Sequence, residues 1–138
     1  RDLPRELGIG RCYLPCMDLA ALGLVPQDLL TPAALPRLRP LLHTLIDEAL
    51  RRLDDGRQYA LAVPRREARL RLASLWPLLI GLGTLVRLRR AENLLDPTVT
   101  VKVPRGEVRW LLLRSLGLVC SDRRLDAWIR RLAAAGQR

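Results

Sequence analysis

The stretch Leu72-Ala-Ser-Leu-Trp-Pro-Leu-Leu-Ile-Gly-Leu-Gly-Thr-Leu-Val86 is apolar on every side of a helix for fifteen residues. A bilayer-spanning helix needs about 20 such residues, so the stretch predicts a central core helix. The helix extends from about Arg65 to Arg90, starting at Pro64, a residue suited to a first turn. Pro77 should kink it, and Gly81 and Gly83 remove side-chain volume, which permits close packing of a neighbour or leaves room for a long apolar ligand.

Helical periodicity recurs on both sides of this stretch. Residues 34 to 55 place Leu38, Leu41, Leu42, Leu45, Ile46, Ala49 and Leu53 at spacings of three and four, opposite Arg37, Glu48, Arg51 and Arg52, with an end expected near Gly56. After Pro104, residues 105 to 116 read as helix, and Ser121 is the expected N-cap of a last helix with Leu125, Trp128, Ile129 and Leu132 inward. Val99-Thr-Val-Lys-Val103 alternates like a strand but has no partner run, so it reads as an extended linker. The expected fold is all-α, one domain over residues 1–138, large enough to bury a core.

The chain carries a net charge of +10, and Lys102 is the only lysine among its 24 basic residues. An arginine-dominated excess favours an anionic partner, since the guanidinium fork matches phosphate oxygens. Nucleic acid is disfavoured: aromatics are 4% of the chain, Phe is absent, and no zinc-finger or RNP-type pattern occurs. Cys12, Cys16 and Cys120 have no paired spacing and only His43 for company, which argues against a zinc site or a disulfide framework and for small apolar cysteines in a reduced, cytoplasmic protein. His43 reads as a helix-surface or satisfied core histidine, and Trp76, Trp110 and Trp128 as core residues. Asp47, Glu48, Asp54 and Asp55 sit in one helical stretch beside Arg51 and Arg52, which suits i,i+4 ion pairs.

Chemistry concentrates at the start. Asp2 and Glu6 lie four apart, on one face of a helix, where two carboxylates suit a divalent cation that also binds phosphate. On spacing alone most such pairs are solvated helix-surface charges, with Arg1 and Arg5 here as ion-pair partners. The run Arg1-Asp2-x-x-x-Glu6 followed by Gly10-Arg11-x-Tyr13-Leu14-Pro15 resembles the second aspartate-rich segment of the squalene/phytoene synthase family, the head-to-head prenyl transferases. Gly23-Leu24-Val25-Pro26-Gln27-Asp28-Leu29-Leu30, after a short helix at Met17 to Leu22, fits the same pattern, as does the segment Val101 to Arg105 more loosely.

The resemblance implies a C-terminal fragment of an isoprenoid-synthase helical bundle and a Mg2+-dependent condensation of two prenyl diphosphates, farnesyl or geranylgeranyl. It implies that Asp2 and Glu6 bind the magnesium diphosphate, that Arg1, Arg11, Lys102 and Arg105 contact phosphate, and that Tyr13 lines the site. It also implies a peripheral position at the inner membrane. The family's first aspartate-rich motif is not found in the chain, which is therefore expected to be inactive alone; Asp54-Asp55 lies too near a helix end to replace it. Pro4 between the two carboxylates, and Glu6 where the family has Asp, depart from the pattern. The competing readings are a non-catalytic basic helical module for acidic lipid or a partner protein, and an RNA-binding helical domain.

Overall fold

The computed structural model describes residues 3–96 and 101–135. Among these residues six α-helices follow in order: α1 Leu3–Gly8, α2 Cys16–Ala21, α3 Leu35–Ala62, α4 Ala68–Arg90, α5 Arg105–Leu118 and α6 Asp122–Ala134. Two 3-10 turns, Pro26–Leu30 and Pro32–Ala34, lead into α3. No strand occurs among the described residues, so the chain is all-α. Residues 101–103, the described part of the alternating run, carry no regular structure; Val99 and Thr100 lie outside the described residues.

The long helices α3 and α4 form a hairpin that joins two cores. Ala60, Leu75, Leu78, Leu79 and Leu82 of that hairpin bury against Leu111 of α5 and Leu125, Trp128 and Ile129 of α6. The other core gathers Leu7, Leu19, Leu24 and Leu29 onto Ala34, Leu35 and Leu38 at the start of α3, with Leu95 from the segment after α4.

Helix α3 does not end near Gly56; it runs on to Ala62. A Cβ at Gly56 would stand 3.3 Å from Leu78 Cδ1, so the glycine serves close approach of α4 rather than helix termination. Helix α4 begins later than Pro64, because Pro64 opens a turn closed by the Glu67 amide on its carbonyl at 2.9 Å. Ser121 occupies the N-cap of α6 as expected, but its side chain makes no capping bond.

α4 is, among the described residues, long and apolar enough to cross a membrane by length and composition. Here it is a core helix on one side only: Leu72, Leu75, Leu78, Leu79 and Leu82 are buried, whereas Ala73, Trp76, Pro77 and Ile80 face solvent. The helix is continuous through Pro77. The Ala73 carbonyl, which Pro77 leaves without an amide partner, lies on the open side where water can satisfy it. Trp76 and Trp110 are not core residues; each keeps an exposed face, and only Trp128 is buried.

Candidate functional site

Helix α1 stops because Gly10 takes a left-handed φ of 78°. The Gly10 amide donates to the Leu7 carbonyl at 3.0 Å and the Arg11 amide to the Glu6 carbonyl at 2.9 Å, the paired bonds of a Schellman ending. That turn folds Arg11 back over the helix, so its guanidinium lies 4.0 Å from Glu6 Oε2. The Gly10-Arg11 pair thus places a cation beside a carboxylate by backbone geometry.

Glu6 has a side chain 28% exposed, yet Oε2 is buried and has no hydrogen-bond partner among the described residues. A carboxylate oxygen is the kind of hard donor that Mg2+ takes, and leaving one buried without a partner costs stability. Asp2 and Arg1 lie outside the described residues. Tyr13 stands on the same connection, 72% exposed. One turn from Glu6, Leu3 joins Leu42, Leu45, Ile46, Leu85, Leu88 and Leu94 around an apolar groove of about 210 Å³.

Gly23, at φ 64°, ends the next helical segment in the same manner. Arg37 of α3 donates to the Leu22 carbonyl and, at 3.1 Å, to that of Gly23, placing a cation on the exposed carbonyls of a helix end. Asp28 accepts from the Val25 amide at 2.9 Å, so the acidic-Leu-Leu element is held by its own carboxylate.

Lys102 and Arg105 are exposed. Val103 between them packs at the Gly83 side of α4, opposite Leu85 and Leu88, which face Leu3. The structure thus brings Glu6 and Arg11 together and shows no contact from either to Lys102 or Arg105.

Many of the other carboxylates are matched by arginine. Glu48 pairs with Arg51 and Arg52, Asp54 with Arg57, Asp47 with Arg89, and Glu107 with Arg87. The Arg57 guanidinium, helped by Gln58, holds the Asp54 carboxyl down at about 2. No group of three or more His, Cys, Asp or Glu side chains that could hold a metal occurs among the described residues. The chemistry of Glu6 fits Mg2+; the described residues supply that single donor.

Sequence reasoning missed the buried arginines. Arg71 is fully buried on α4 and donates to Asp122 of α6, which Arg65 also contacts at 2.6 Å. Arg57 is buried between Asp54 and Asp126. No spacing signal marks the pairs to Asp122 and Asp126, since they join residues 51 to 69 apart in sequence. Cys16 and Cys120 are exposed rather than buried, and Cys12 is half-buried, its thiol 3.9 Å from the Leu14 carbonyl.

The squalene/phytoene synthase family model matches residues 1–107. Comparison with curated proteins and with solved structures gives no match. The family is typically metal-dependent and its substrates are in general prenyl diphosphates. The match takes in the Glu6–Arg11 turn, the whole α3–α4 hairpin and the start of α5. Because it covers 107 of 138 residues, the chain belongs to the squalene/phytoene synthase family.

Proposed function

We propose that this chain supplies one wall of a prenyl transferase site that joins two prenyl diphosphates head to head with Mg2+. The observation that carries the reading is the Schellman turn at Gly10, which sets Arg11 over a Glu6 oxygen that no described residue hydrogen-bonds, in a chain of this family. Glu6, with Asp2, would hold Mg2+. When bound, that ion neutralises charge developing on the departing diphosphate.

The chain's own residues do the rest. Arg11, largely in solvent, can swing its fork onto diphosphate oxygens, and the planar donor array adds orientation to charge. Tyr13 offers a hydroxyl on the same connection. The groove beside Leu3 excludes water along the first part of a prenyl chain. At about 210 Å³ it is below the roughly 300–1,000 Å³ of a complete ligand pocket, so it takes only part of the chain. Lys102 and Arg105 serve as secondary phosphate contacts in this reading. The chain is then the C-terminal part of a larger catalytic domain and is inactive alone. The apolar tails of its substrates and its apolar products suit a position at the cytoplasmic face of the membrane.

Calorimetric titration with farnesyl thiodiphosphate tests this. We expect Mg2+-dependent binding that weakens at least tenfold, about 1.4 kcal/mol, in Glu6→Gln and in Arg11→Ala. Binding that ignores both Mg2+ and Glu6 would favour a non-catalytic basic module for acidic lipid, which has no use for that carboxylate.

A further inference from the structure

Helix α5 buries Leu111 and Ser115 and turns Trp110, Leu113 and Leu116 outward, 48%, 68% and 50% exposed. Arg105, Arg109 and Arg114 are exposed on the same helix and flank that apolar stripe. Its one acidic residue, Glu107, is drawn away to Arg87 of α4. Arg114 lies 5.4 Å from the centre of the Trp110 ring, and Trp110 meets Trp128 edge-on at 6.0 Å, so the outward indole is fixed from beneath. On the neighbouring flank of α4, Trp76 and Ile80 are also partly exposed, and the Trp76 indole N–H donates to Ser115 Oγ at 3.1 Å.

We infer that the outer face of α5 is a docking surface for an anionic lipid bilayer, with Trp110, Leu113 and Leu116 entering the headgroup boundary and Arg109 and Arg114 meeting lipid phosphates. Charge complementarity selects this occupant. A second copy of the chain, at net +10, would oppose arginines to arginines across the same stripe. A bilayer accepts both parts at once: indole and leucine enter the interface while guanidinium groups remain at phosphate level. The inference deepens the membrane contact of the proposed function and rests on it. Its test contains no prenyl diphosphate, so failure here leaves the diphosphate reading standing.

The experiment is co-sedimentation of the chain with vesicles of phosphatidylcholine alone or with phosphatidylglycerol. Binding is expected only with the anionic lipid and should fall as salt rises. Arg109→Glu should weaken it roughly fivefold or more, and Leu113→Glu about tenfold, both with unchanged thermal melting because the side chains are exposed. Arg66→Glu, a charge reversal on the exposed loop before α4, should leave binding within about twofold. Equal binding to both vesicles, an Arg66→Glu loss matching that of Arg109→Glu, or a dimer in sedimentation velocity that Leu113→Glu dissolves would each overturn the inference. So would RNA binding that competes away the vesicles and is indifferent to Leu113→Glu.

Discussion

Arg71 of α4 is fully buried and donates one hydrogen bond to Asp122 of α6, while its Nε and Nη1 have no partner among the described residues. The two ends of this pair are unequal, since Asp122 keeps Arg65 and remains partly in solvent. Removing the carboxylate strands a buried guanidinium with only the Leu61 carbonyl at 3.4 Å; removing the guanidinium strands nothing. We expect Asp122→Ala to cost about 3 kcal/mol and Arg71→Met less than about 1 kcal/mol. Urea denaturation of both variants checks it, and equal losses would contradict the asymmetry.

Acid should unfold the chain through the same carboxylates. Arg65 and then Arg71 hold the Asp122 carboxyl below its usual range, and Arg57 brings Asp54 to about 2. A depressed folded value means the unfolded state binds more protons, so this stability is complete above the ordinary aspartate value near 4 and disappears as pH falls through the folded value. Unfolding midpoints should therefore be flat from about pH 7 to 5 and fall steeply from about pH 4 to 2. A maximum on the acid side would reverse the sign.

The long helices were legible because leucine recurs at three and four over α3 and because the middle of α4, Leu72 to Val86, is apolar on every side. Their boundaries were less so. A glycine that ends a helix, as Gly10 and Gly23 each do at positive φ, reads the same in sequence as Gly56, which lies mid-helix to admit Leu78. Trp76 and Trp110 against Arg71 invert the usual order of burial, since all three side chains are part apolar and part polar and only their neighbours decide. At the site, Glu6 and Arg11 were each legible as candidates, but their pairing was not: Arg1 and Arg5 were the expected ion-pair partners, and it is the left-handed turn at Gly10 that sets Arg11 beside Glu6. That Val103 takes the segment of Lys102 and Arg105 to the Gly83 side of α4 depends on tertiary packing, which no local pattern encodes.

Glycine substitutions separate the two kinds of position. Gly10→Ala forces a side chain into left-handed backbone and should cost about 1–2 kcal/mol. Gly23→Ala should cost more, because its Cβ would also meet Arg37 Nη2 at 2.8 Å. Gly106 and Gly117 lie in helix with nothing within 4 Å, so alanine there should stabilise by up to about 1 kcal/mol each. Thermal melts of the four variants should fall into these two signs.

Glu6→Gln should part stability from binding. Among the described residues the wild-type carboxylate holds a buried oxygen with no hydrogen-bond donor on it, and its nearest cation is 4.0 Å away. A neutral amide of the same shape is less costly to bury, so the variant should melt at or above the wild-type temperature. With Mg2+ and farnesyl thiodiphosphate the order should reverse. A ligand at a hundred times its dissociation constant adds about 2.7 kcal/mol to the wild type, the gain vanishes on chelating the metal, and the variant shows little of it. Wild type and variant that respond alike to Mg2+ and ligand would remove Glu6 from the diphosphate site, whatever their stabilities without it.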